Sequence, residues 1–385
     1  MRNQKIDFFR GLALIIIFID HIYNNRLGGY TLRGYGIADA AEIFFFSSGF
    51  ISAVVYSKVM QRSGFKDSQR KAARRSAYIY IFHVVTFLLL VGITVLLKDF
   101  DSVETVVNFR SMYDAIYGES YKGLYIFTLG YQPFLFSILP AYILLSAATP
   151  AMIWLLRKSP WLLFGISLFI YLLVQVYPVL NIAQAPYYRA WVFNPFAYQF
   201  LFVIGILFSH SRGSWTKFIP LKTSTFAVAV FLLGLAFVFH KFIPYIGKHF
   251  ELLTEYAYLD GLPFTGKTNE EPLRIIHFLI LMYVVVFSIN LISQKWPKLT
   301  TSIKRIAQPI ISCGQNSIYI FCLSILLSYL CGYVISYFGN GAIVWIPVNI
   351  IGVSLILITG TWLASRYSKR NALTTRPLSD SSSGV

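Results

Sequence analysis

The sequence predicts an all-α integral membrane protein, a polytopic bundle of about ten transmembrane helices with both termini cytoplasmic. Three observations predict it. The chain of 385 residues is 56% hydrophobic and 17% aromatic but only 13% charged, unlike an ordinary soluble domain. Ten apolar runs are long enough to span a hydrocarbon core of roughly 30 Å. The basic residues are then divided unevenly between the two sets of connections, as orientation in a membrane requires.

The runs cover approximately 8 to 24, 39 to 60, 76 to 97, 135 to 156, 160 to 177, 195 to 210, 223 to 243, 273 to 293, 310 to 337 and 342 to 365. The first holds Asp20 and His21 and precedes no small-residue cleavage site, so it is expected to stay as a spanning helix. The second opens on Asp39-Ala-Ala-Glu42, acids favoured at a helix N-terminus. Arg70, Arg74 and Arg75 lead into the third; Gln132-Pro133 precedes the fourth, and Asn194-Pro195 opens the sixth. The first and sixth runs are short, so flanking polar groups, tilt or local thinning set their ends. The ninth contains Cys313, Cys322 and Cys331; steps of nine alternate faces, which suggests packing residues and no disulfide framework or metal site. Residues 1–367 read as one membrane domain and 368–385 as a disordered cytoplasmic tail. No internal repeat is evident.

With the N-terminus inside, the cytoplasmic connections take 23 of the 33 basic residues. The opposite side holds most of the acids, among them Asp99, Glu104, Glu251, Glu270 and Glu271. Its connections, about 98 to 134, 178 to 194 and 244 to 272, are rich in Tyr, Gly and Pro and suit loops lining a mouth. The net charge of +17 therefore reports topology. A nucleic-acid partner would require a basic stripe on a soluble domain.

Ionisable side chains inside a spanning helix are functional candidates. Arg10 and His21 lie eleven residues apart, which returns them to nearly the same face about 16 Å apart along the axis. Asp7, three residues before Arg10, is placed to pair with it. His21 is the natural general base, and Glu42, starting the next helix on the same side, is placed to orient it as a carboxylate does in a triad. Ser47, Ser48 and Gly49 read as a close helix crossing. The connection 58–75 holds seven basic residues against one acid, Asp67; that density fits phosphates of a donor such as coenzyme A as well as anionic lipid. His83, two turns further on, can meet the donor's reactive end or bond a neighbouring helix. On the outer side Asp39, Gln132, Asn194, Gln199, Lys267, Asn269, Arg274 and His277, with Trp191 and many tyrosines, offer the amides, charges and rings that bind sugar; interfacial anchoring is the other reading.

The chain also resembles a known group. Arg10-x10-His21, followed by Glu42-Ile-Phe-Phe-Phe-Ser-Ser-Gly-Phe50, is similar to the signature of the acyltransferase-3 membrane superfamily. Asp7-Phe-Phe-Arg-Gly-Leu-Ala-Leu, Asp39-Ala-Ala-Glu42-Ile-Phe, Phe193-Asn-Pro-Phe-Ala-Tyr-Gln-Phe-Leu-Phe-Val-Ile-Gly205, Lys267-Thr-Asn269, Pro272-Leu-Arg-Ile-Ile-His-Phe-Leu279 and Gly314-Gln-Asn-Ser-Ile-Tyr-Ile-Phe-Cys322 resemble the OpgC family more closely. That resemblance implies an inner-membrane enzyme that moves succinyl groups from cytoplasmic succinyl-CoA to hydroxyls of osmoregulated periplasmic glucans, with no permanently bound cofactor. It implies catalytic roles for His21, Arg10 and Glu42, with Asp7 beside Arg10. Arg70, Arg74, Arg75 and His83 are then expected to serve the acyl-CoA, and the outer set the glucan. A transporter or flippase for a glycan or organic anion is the alternative from another class.

Overall fold

The computed structural model describes residues 3–97, 116, 122–133, 135–184, 189–211, 221–247 and 265–374. Most of the predicted connections 98 to 134 and 244 to 272 lie outside the described residues, as do the last residues of the tail. Helix α1, Gln4–His21, is opened by Asn3, whose side chain accepts from the Lys5 and Ile6 amides. Two 3-10 turns, Arg26–Tyr30 and Leu32–Gly34, carry the chain to α2, Ala40–Leu97. Gly64 breaks α2 into two arms at φ 78°, a conformation glycine takes without a Cβ clash. The basic connection 58–75 is consequently helical, as its Lys, Arg, Gln and Ala content favours.

The chain continues with α3, Ile138–Lys158, and α4, Pro160–Val176. It goes on through α5, Pro195–Ser211, α6, Thr223–Gly247, and α7, Pro272–Lys295. A two-residue antiparallel bridge, Ala183–Gln184 with Arg189–Ala190, precedes α5. After α8, Pro297–Ile306, the predicted single run 310 to 337 is two helices, α9, Gln308–Gln315, and α10, Ser317–Phe338. They part at Asn316, whose side-chain amide bonds the Ser312 carbonyl at 2.9 Å and competes with the helical ladder. The last helix, α11, Ala342–Thr374, continues past Ser368, so the start of the expected disordered tail is helical.

Each of the ten predicted runs has a helical counterpart. Among the described residues six helices are long and apolar enough to cross a membrane, the two-armed α2 among them. Helices α4 and α5 are apolar but shorter, and α1 carries Lys5, Asp7, Arg10 and Asp20 within 18 residues. Large apolar side chains such as Phe169, Phe231, Ile351 and Ile358 face outward, the surface a bilayer would cover.

Two backbone contacts set the centre of the bundle. A Cβ on Gly49 would lie 1.9 Å from the Phe202 carbonyl oxygen, and one on Gly205 would lie 2.1 Å from that of Phe46. The crossing expected from Ser47, Ser48 and Gly49 thus forms between α2 and α5, with Gly205 as its counterpart. Likewise a Cβ on Gly11 would meet the Ile310 carbonyl at 2.0 Å, and one on Gly314 that of Asp7 at 1.8 Å. Helices α1 and α9 therefore pack backbone to backbone. These contacts bring the end of α1 and the starts of α2, α5 and α7 to one end of the bundle, the His21 end; the Gly64 break lies at the other.

Candidate active site

His21 closes α1, and its Nδ1 lies 2.6 Å from the carbonyl oxygen of Ile17. A carbonyl only accepts, so Nδ1 carries the hydrogen and the neutral ring holds its lone pair on Nε2. Lys267, Asp39 and Arg33 are close enough to act on the imidazole electrostatically. Asp20 beside it accepts from the Thr31 hydroxyl at 2.5 Å and pairs with Arg33 Nε at 3.4 Å. The half-buried imidazole therefore sits among charged groups.

Asp39 and Glu42 form a reciprocal cap. Asp39 Oδ1 accepts from the Ala41 amide at 2.8 Å, and Glu42 Oε2 from the Asp39 amide at 2.7 Å. The other Glu42 oxygen, fully buried, accepts from Arg274 Nε at 2.8 Å and from Nη2 at 2.5 Å. Arg274 also lies 3.5 Å from Asp39, and Lys267 Nζ bonds Asp39 at 2.5 Å. The expected Glu42–His21 pairing is corrected on this point: the Glu42 oxygens serve the cap and the guanidinium, and His21 is oriented by its own helix. A local reason exists, since a carboxylate three residues after Asp39 reaches back to the helix start more readily than across to α1.

Glu270, missed in the sequence, completes the group. It is fully buried, adopts φ 46°, and stands 3.9 Å from Arg274, with no hydrogen-bond partner for either carboxyl oxygen among the described residues. Burial, reinforced by nearby Glu42, pushes its carboxyl well above the ordinary range. Its neutral form is thereby favoured, and beside it Asp39 and Glu42 face Lys267 and Arg274, two against two. Glu270→Gln is accordingly expected to change stability by no more than about 1 kcal/mol, checked by thermal unfolding in detergent. A much larger loss would mean that Glu270 is ionised.

The remaining expected residues separate into kinds. His277 Nδ1 accepts from the Ala38 amide at 3.3 Å, and its ring lies against Gly36, so it holds the approach to α2. Asn194 donates to Asn269 Oδ1 and to the Leu180 carbonyl, both at 2.8 Å, while Gln175 donates to the Asn269 carbonyl at 2.8 Å. Tyr198 donates to the Lys267 carbonyl at 2.8 Å. These bonds build the wall that presents Lys267. Gln199 exchanges hydrogen bonds with Ser167 at 2.7 and 2.8 Å, clamping α5 to α4; its amide belongs to packing and not to a sugar contact. Gln132 is buried, and among the described residues neither of its amide atoms has a partner.

Arg10 departs from expectation. Its Nη2 donates to the Tyr142 hydroxyl at 3.2 Å and its guanidinium lies over the Phe44 ring. Asp7 instead faces α9 and accepts from Gln315 at 3.5 Å. The arginines of the basic connection in α2 also divide: Arg70 is exposed and pairs with Asp67 at 3.1 Å, Arg74 is exposed, and Arg75 turns partly inward. His83 is fully buried, edge-on to Phe136, and among the described residues neither ring nitrogen has a hydrogen-bond partner. Tyr142 had no sequence signal beyond a phenol in an apolar run.

Fold and site define a multi-pass helical membrane protein with a buried, charge-balanced cluster at one end of its bundle. The chain belongs to the OpgC protein family, whose sequence profile matches residues 2–369. No curated protein and no solved structure matches it.

Proposed function

We propose that the chain is an O-acyltransferase of the bacterial inner membrane, moving a succinyl group from cytoplasmic succinyl-CoA to hydroxyls of periplasmic glucans. Ten spans with both termini cytoplasmic put the His21 end outside, in keeping with the bias of basic residues. Family membership supports the reaction class. The observation that carries the proposal is the His21 tautomer, a proton on Nδ1 anchored to Ile17 and a lone pair on Nε2.

In this reading Nε2 takes the proton of a glucan hydroxyl as its oxygen attacks the thioester carbonyl carbon. The C–S bond then breaks, and the imidazolium returns the proton to the departing thiolate. Lys267, 40% exposed, is placed to contact the acceptor. Asp39, Glu42 and Arg274 hold its surroundings rigid, and the exposed Arg70 and Arg74 meet donor phosphates at the opposite face. Purified protein given labelled succinyl-CoA and glucan is expected to yield a base-labile glucan ester. Glucan that crosses a vesicle membrane unmodified would replace transfer with transport.

A further inference from the structure

Helix α7 starts at the His21 end and rises about 36 Å over its 24 residues, so α8 lies at the opposite end of the bundle, that of the Gly64 break. With ten residues α8 rises only about 15 Å, half the depth of a hydrocarbon core, and does not span. Trp296 interrupts the helical path at φ −134° and Pro297 restarts it, which sets α8 apart from α7. Ile303 is 45% and Ile306 80% exposed, and three residues apart they share one face. At about 100° per residue Lys304 and Arg305, both exposed, flank that face on opposite sides. Lys295 and Lys298 are exposed as well. Four cations thus fall within eleven residues, and the sequence holds no acid between Glu271 and Asp380. Among the described residues no ion pair reaches Lys304 or Arg305.

Two other helices mark a membrane surface at the same end. On α3, whose Arg157 donates to the Met60 carbonyl near the Gly64 break, Lys158 Nζ lies 4.0 Å from the centre of the half-exposed Trp154 ring. On α11, whose Asn349 bonds Asn25 near the His21 end, Arg366 lies over the half-exposed Trp362 ring at 4.1 Å, more than four turns further on. Exposed tryptophans beside cations belong to the boundary between lipid and water. We infer that α8 is an interfacial helix that binds anionic phospholipid headgroups of the leaflet at the Gly64 end. Ile303 and Ile306 enter the acyl region, and the four cations meet the phosphates. A neutral leaflet would receive the two isoleucines but leave the cations without countercharge. The inference uses the membrane fold and is independent of the proposed reaction.

The test is backbone hydrogen exchange of the unmodified full chain in nanodiscs of phosphatidylglycerol or phosphatidylcholine with identical acyl chains. Exchange over Pro297–Ile306 is expected to be about 10- to 100-fold slower in phosphatidylglycerol, since each Lys or Arg near an anionic surface favours it about fivefold. Lys304→Gln combined with Arg305→Gln is expected to remove most of that difference while α1 and α9 exchange as before. Ile303→Ala combined with Ile306→Ala is expected to speed exchange of α8 in both lipids; alanine is the better helix former, so the gain reports lost lipid contact. Equal exchange of the unmodified chain in the two lipids would overturn the inference, as would a lipid difference that the Lys304 and Arg305 changes leave intact, or an α8 indifferent to the two alanines. Two other occupants would also overturn it. Protection in phosphatidylcholine brought about by millimolar inorganic phosphate alone would make α8 a site for a soluble anion. Protection that appears only when two chains share a disc would give its apolar face to a second copy.

Discussion

Changing His21 to alanine is expected to lower acyl transfer to glucan by about 100- to 10,000-fold, the usual contribution of a positioned general base. The protein should remain folded. His21 is the last residue of α1, is half-buried, and its Nδ1 bond runs to a carbonyl four residues back in the same helix. Asparagine at this position would keep a polar side chain without the basic lone pair and should be nearly as inactive. Mass spectrometry of periplasmic glucans from cells carrying each variant reads the effect, with rates on purified protein and its unfolding temperature as controls. Transfer within about threefold of the unmodified protein would remove His21 from the chemistry.

The second large effect concerns stability. Arg274 gives two hydrogen bonds to Glu42 and approaches Asp39 and Glu270, with its side chain 8% exposed. Arg274→Met strands the Glu42 carboxylate in the interior, a loss of about 3–5 kcal/mol when one partner of a buried pair is removed. Lysine should recover little, because an ammonium cannot reproduce the two-pronged contact. Glu42→Gln added to Arg274→Met should restore part of the stability by removing the uncompensated charge. Unfolding of the four proteins in detergent gives the coupling directly. Additive losses would mean that the two side chains do not depend on each other.

Much of the local architecture was legible in the chain. Apolar runs identified the helices, and Asp39-x-x-Glu42 announced a helix start that the structure caps reciprocally. Gly49 signalled a crossing, though its counterpart Gly205 is more than 150 residues away and nothing nearby in sequence pairs them. Arg274 and His277, both expected in the outer group, act together at the approach to α2. Glu270 was overlooked because an acid in a loop between charged neighbours looks solvated; only packing buries it.

The basic connection 58–75 shows the boundary most clearly. Composition made it cationic and helix-prone, but whether each arginine points to water or inward depends on how the second arm of α2 meets α3. That contact leaves Arg70 at the surface and turns Arg75 partly inward. Periodicity, charge bias and capping act over a few residues, so the amino-acid order alone determined a helical membrane protein and the helix carrying the basic imidazole. Which carboxylate meets which cation depends on side chains from helices far apart in the chain. The choice of Arg274 and not His21 as the partner of Glu42 therefore belonged to tertiary packing, where burial makes every charge seek the partner that geometry places within reach.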